Sequence, residues 1–162
     1  MTGPFSPSST IAPPSTATPA GTITGDGFWP DLDLDALRKA IRVDQTVTPE
    51  RLRDVACSAI LDIMVELADW RAEQRALGHD RLQDVPGRHQ VDGRSDYQIR
   101  WVQAVQAVVA ADLGDRHLGQ AARSAGVDRA EEFAIDVDLH RRNVTWAVRA
   151  FLGQPRIIAE VI

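Results

Sequence analysis

The sequence predicts an all-α protein: a small bundle of one short and three long helices, with an extended N-terminal arm and a short C-terminal β-type tail. Three observations carry this prediction. Apolar residues recur at helical spacing in four stretches between Asp33 and Leu152. Start and stop signals bracket those stretches. The two ends lack the spacing: residues 1–25 are rich in Pro, Ser and Thr, and Arg156–Ile162 is β-prone.

The arm comes first. Residues 1–25 hold five of the nine prolines, ten Ser/Thr and no charged side chain. Proline fixes φ and removes a backbone donor, and small polar residues supply no core, so this segment is expected to be disordered or extended. A helical domain over 26–153 and a tail over 154–162 complete the division.

The short helix follows Asp33, a good cap, and has an apolar edge of Leu34, Leu37, Ala40 and Ile41. Phe28 and Trp29, just before it, are expected to anchor it to the main body. The next helix starts on Thr48, with Pro49 at its first position and Glu50 in its first turn, and is expected to run to Leu77 before Gly78. At 1.5 Å per residue it would be about 43 Å long. Its main face is Leu52, Val55, Ala56, Ala59, Ile60, Ile63, Leu67, Trp70 and Leu77. A second shoulder holds Cys57, Leu61, Met64, Val65 and Ala68, leaving a narrow polar stripe of Ser58, Asp62, Glu66, Asp69 and Glu73. A helix apolar over most of its circumference needs cover on several sides, which points to a neighbouring subunit.

Residues 79–94 read as a loop, after which Ser95 caps the third helix. Tyr97, Trp101, Ala104, Val105, Val108 and Val109 form its buried face, and it is expected to fade near Leu118 into a small-residue connection from Gly119 to Gly126. The last helix spans about Asp128 to Leu152, stopped by Gly153 and Pro155. Its core face is Phe133, Val137, His140, Val144, Ala147, Val148 and Phe151. Nearly opposite runs a thinner apolar line, Ile135, Leu139 and Trp146, which water would wet in a monomer and which suits a protein contact. In the tail, Ile157, Ile158, Val161 and Ile162 form a lone β-prone segment that must find a partner.

Composition excludes several functions. A net charge of −5 argues against a DNA-coating protein, which needs a basic face. The single Cys57 excludes an intrachain disulfide and a cysteine-rich zinc site. No apolar run approaches the ~20 residues of a membrane span, so no membrane association is expected. Asp31, Asp33 and Asp35 imitate the start of a calcium loop, but Ala36 and Arg42 stand where it needs Gly and a bidentate Glu. His79, His89, His117 and His140 lack ligand spacing, and His140 is expected in the core. Asp62, Glu66, Asp69 and Glu73 would need ligands from a facing helix to hold a metal. No cofactor and no catalytic group are expected. Two other readings stay open at this point. A helical DNA-binding regulator would need a basic face, which only Arg141, Arg142 and Arg149 approach, and a carboxylate-metal enzyme would use the acidic stripe.

The order of several blocks is more specific than any of them alone. Gly25-Asp-Gly-Phe-Trp-Pro-Asp-Leu-Asp33 leads into the short helix, and Asp44-Gln-Thr-Val-Thr-Pro-Glu-Arg-Leu-Arg53 opens the long one. Glu66-Leu-Ala-Asp-Trp-Arg-Ala-Glu-Gln74 is followed by Gly78 and Arg81-Leu-Gln-Asp-Val-Pro86, and the chain closes with Trp146-Ala-Val-Arg149 and Gln154-Pro-Arg156. Over residues 25–162 this resembles the head completion protein of contractile-tailed bacteriophages, a family of head-to-tail connector subunits. The resemblance implies a non-enzymatic virion protein at the head-to-tail junction, assembled in the bacterial host cytoplasm. It implies a dodecameric ring of identical subunits that forms below the portal protein after DNA packaging. A tail terminator or tail completion protein would dock on that ring, and packaged DNA would pass through its lumen. The expected contact residues are then Leu61, Met64 and Val65, the line Ile135, Leu139 and Trp146, and the tail residues Ile157, Ile158, Val161 and Ile162.

Overall fold

In the computed structural model the chain is described over residues 21–41, 47–124 and 127–154, with side chains described except over 116–137. The first described residues already belong to the fold. β1 (Thr22–Ile23) pairs antiparallel with β2 (Leu32–Asp33), placing Thr22 opposite Asp33 and Ile23 opposite Leu32. Between these strands the chain makes a tight loop. Gly25 N donates to Asp31 Oδ1 at 2.8 Å, and the Asp26 carboxylate accepts from the backbone N–H groups of Phe28 and Trp29. A Cβ on Gly25 would fall 2.0 Å from the Trp29 carbonyl oxygen, so only glycine fits. Asp31, Asp33 and Asp35 lie at this loop and helix start, where Asp33 accepts from Asp35 N and Ala36 N to cap α1 (Leu34–Ala40).

Thr48 Oγ1 accepts from Arg51 N and opens α2 (Pro49–Glu66). Here the expectation of one unbroken helix to Leu77 needs correction. Leu67, at φ −103° and ψ 13°, interrupts it, and α3 (Ala68–Ala76) follows. The bonds Leu67 N to Ile63 O and Arg71 N to Leu67 O carry the chain across the break. Leu67 is completely buried and Trp70 nearly so, whereas Leu77 is 70% exposed, against the periodic pattern. Spacing tells which residues share a face; it does not register a local change of ψ at one residue. Gly78, at φ 91°, ends α3 as expected, with His79 N donating to Gln74 O.

The expected loop 79–94 is also more ordered than its composition suggests. A 3₁₀ turn (Leu82–Asp84) buries Leu82, with Val85 buried just beyond it, and Leu82 N donates to Phe28 O at 2.9 Å. An antiparallel hairpin of β3 (Gln90–Val91) and β4 (Arg94–Ser95) follows. The fold is therefore mostly helical with two small strand pairs, a correction to a purely helical class. Two-residue strands are too short to show a period-2 pattern.

Ser95 and Gln98 form a reciprocal capping box, Ser95 N to Gln98 Oε1 and Gln98 N to Ser95 Oγ, at the start of α4 (Asp96–Ser124). α4 continues past Leu118 to Ser124, so the expected small-residue connection from Gly119 is helical as far as Ser124. One glycine costs a helix about 1 kcal/mol, and packing against α5 (Val127–Phe151), the most extensive helix pairing here, offsets it. Gln154 N donates to Arg149 O and closes α5.

The core lies between the inner faces of α2 and α4 and the C-terminal end of α5. Leu52, Val55, Ala56, Ala59 and Ile63 meet a layer that contains Trp101, Ala104, Val105 and Val109. At one end Phe28, Trp29, Trp70, Tyr97, Trp101 and Phe151 form a continuous aromatic cluster. On α5 Ala147 and Phe151 are buried and Val144 and Val148 half-buried, while the side chains of Phe133 and Val137 lie outside the described ones. His140 is not a core residue. It is half-buried and lines a surface cleft with Asn143 and Trp146 of the same helix.

Candidate functional site

The surfaces that stand out are the outer faces of α2 and α5. On α2 the side chains opposite the core face include Leu61, 62% exposed, and Val65, 75% exposed. Their spacing of four puts them on one ridge. Asp62 and Glu66, both exposed, form a parallel acidic row beside it. Met64 does not join the ridge, since it is half-buried and packs on the core with Cys57 and Ile60. Asp69 and Glu73 continue the acidic face onto α3.

On α5 Leu139 is 39% exposed, and Trp146, two turns on, is half-buried. The Arg142 guanidinium stands 5.1 Å above the Trp146 ring, a cation–π contact. Arg141 on the neighbouring row pairs with Asp115 at 2.7 Å and approaches Asp138 at 3.8 Å. The Ile135 side chain lies outside the described ones, and Ile157, Ile158, Val161 and Ile162 lie outside the described residues.

Trp146 also lines an open cleft of about 560 Å³ between α1, α4 and α5. Ala40, Ile41, Ala107 and Ala147 give it small apolar walls, and Arg100, Gln103, Gln106, His140 and Asn143 give it a polar rim. The sequence pointed to Trp146 but not to this cleft. Its other walls come from α1 and α4, and one helix's periodicity cannot show which helices converge. The Arg142–Trp146 spacing of four was the available signal.

A second cleft marks where the described chain ends. Arg88, His89, Asp96, Ala150 and Gln154 line it, and Arg88 ties it together by donating to Ala150 O at 2.7 Å. No group of three or more His, Cys, Asp or Glu among the described residues has a metal-holding arrangement. No helix among them is long and apolar enough to cross a membrane. The outer faces of α2 and α5 thus present apolar and charged rows to solvent among the described residues.

Residues 23–162 match the family model of the phage head completion protein (GPL). The chain belongs to this family. It is 33% identical over 159 residues to the head completion/stabilization protein of Escherichia phage P2, covering 98% of this chain and 94% of that protein. No solved structure matches it. This member of the head completion family is a structural phage protein and not an enzyme. The DNA-regulator and carboxylate-metal readings give way to a structural role in head completion. The acidic stripe of Asp62, Glu66, Asp69 and Glu73 is correspondingly an exposed helix face.

Proposed function

We propose that this protein completes the phage head as a ring of identical subunits, a dodecamer, seated below the portal after DNA packaging. The ring stabilises the filled head, offers the tail terminator or tail completion protein its docking surface, and lets packaged DNA pass through its lumen without sequence-specific contact. One observation carries this reading: a folded monomer leaves Leu61 and Val65 in water on one helix and Leu139 on another. Exposed apolar rows on a structural protein are what subunit contacts cover. The contact set is Leu61, Val65, Ile135, Leu139 and Trp146, with Met64 supporting the ridge from beneath.

The tail Ile157, Ile158, Val161 and Ile162 extends this reading to the portal or a neighbouring subunit, by strand addition or by burial of its apolar residues. Acidic residues outnumber basic ones 23 to 18, and acidic residues toward the lumen would keep DNA sliding.

Electron microscopy of filled heads made with and without this protein tests the proposal. Density for a ring below the portal is expected only when the protein is present, and heads lacking it are expected to lose DNA. Heads that retain DNA equally well without it, or that show no added ring, contradict the proposal. Deleting residues 157–162 is expected to reduce incorporation into heads, and unchanged incorporation removes the tail from the contact set.

A further inference from the structure

We propose that the subunit contact is ridge into groove: Leu61 and Val65 of one copy seat in the α1–α4–α5 cleft of the next. This rests on the ring reading above and adds which two faces meet. The ridge cannot enter the cleft of its own molecule. Ala59 and Ile63 on the same helix are buried in the core, which turns Leu61 and Val65 outward. A second copy is therefore the occupant that brings the two faces together.

The faces complement each other in shape and in charge. The cleft walls are small, Ala107 and Ala147 beside Ile41, so a helix ridge can approach the backbone closely. Trp146 supplies a large apolar surface at the edge of the cleft. Among the described residues that line the cleft none is acidic, and Arg100 is basic. Arg142, over Trp146, adds a second cation beside it. The ridge brings the opposite sign, because Asp62 and Glu66 run along its flank. Seating Leu61 and Val65 against Trp146 and the alanines directs these carboxylates toward Arg100 and Arg142, which would fix the register of the contact. The two faces are different surfaces of the chain, so the contact is heterologous. Repeated from copy to copy it generates a closed ring where the rotation allows, as head completion below a portal requires.

The test uses full-length protein in assembled heads. With Cys57→Ala as background, Val65→Cys and Asn143→Cys are combined on one chain and the heads are oxidised. A reducible ladder of covalent dimers and larger species is expected, with no ladder from either cysteine alone across the heterologous contact. Charge reversal gives an independent arm. Asp62→Lys with Glu66→Lys, or Arg100→Glu with Arg142→Glu, is expected to lower incorporation about tenfold or more while the circular dichroism spectrum stays that of the wild type. Combining all four substitutions is expected to restore incorporation. Ring density in wild-type heads without a ladder and without rescue overturns this pairing and leaves the ring reading standing. Absence of the ring from wild-type heads overturns both.

Discussion

The indole of Trp29 stacks on that of Trp101 with 4.2 Å between ring centroids and 10° between planes. Trp29 lies in the loop before α1, and Trp101 lies on α4. Trp70 from α3 also stacks with Trp29, at 6.2 Å, and Phe151 from the end of α5 meets it edge-on. One ring thus joins the N-terminal loop to three helices. Trp101→Ala is expected to cost about 3–5 kcal/mol in denaturant unfolding. Trp101→Phe is expected to cost less, because it keeps an aromatic face and removes a buried indole N–H that has no hydrogen-bond partner among the described residues. Equal losses in the two variants would deny the stacking its role.

The starts of α1, α2 and α4 were legible because each is set by a local side chain: Asp33, Thr48 and Ser95 all cap as their sequence context requires. The inner face of α2 was legible for a similar reason, since burial there follows helical spacing. The break at Leu67 was not, because no Gly, Pro or other local breaker residue marks it. The hairpin at 90–95 was missed because its strands are two residues long. On the outer faces of α2 and α5, the exposure of Leu61, Val65 and Leu139 could be read from spacing. Met64 and His140 could not be placed, because each stands at the edge of an apolar face, where neighbouring helices decide its exposure.

Gly25 is the one position in the N-terminal loop where a methyl group has no room, with the Trp29 carbonyl oxygen 2.0 Å from its ideal Cβ. The obstruction is backbone and cannot rotate away. Gly25→Ala is expected to destabilise the fold by about 1–3 kcal/mol. It should also loosen the loop that carries Trp29, read as faster hydrogen exchange at Phe28 and Trp29. A variant as stable as the parent would mean that this loop is not held as described.

Asp26 links the same loop to α3. Its Oδ2 lies 2.7 Å from Arg71 Nη1, and its Oδ1 accepts from Phe28 N and Trp29 N at 3.2 Å. Partial burial pushes its pKa up, but the backbone hydrogen bond from Trp29, the Arg71 charge and the bond from Phe28 together outweigh that and hold it below the ordinary aspartate value. A depressed carboxylate pKa contributes stability above the unfolded-state pKa, and the contribution is lost as pH falls through the folded-state value. The window therefore lies below about pH 4. Asp26→Asn is expected to be less stable than the parent at pH 7, with the difference shrinking as the pH is lowered through that window. A difference independent of pH would assign the effect to shape and not to charge.

Val65 separates assembly from folding. At 75% exposure it adds little to the stability of the subunit, so Val65→Glu is expected to change unfolding free energy by no more than about 0.5 kcal/mol. Incorporation into heads is expected to fall sharply, since a carboxylate on the ridge cannot pack against the small apolar walls of the cleft, Ala107, Ala147 and Ile41, without a desolvation cost. Ile63→Glu, on the opposite, core-facing side of the same helix and 1% exposed, is the contrasting case and is expected to unfold the subunit. If Val65→Glu assembles as the parent does, the outer face of α2 is not a contact.

Trp146→Glu reads the same contact from the other side. The ring is half-buried, lies under Arg142 and lines the cleft, so its removal takes away apolar surface at the cleft edge without opening the main core. Helical content is expected to stay that of the parent by circular dichroism. Ring and virion assembly are expected to fail for two separable reasons: the apolar wall is lost, and a new carboxylate meets the acidic row of Asp62 and Glu66 on the incoming ridge. Trp146→Ala loses only the wall and is expected to assemble less poorly than Trp146→Glu. Raising the salt concentration should narrow the gap between the two variants, because screening weakens like-charge repulsion but not the loss of apolar contact. Equal defects at every salt concentration would mean that no acidic face approaches Trp146.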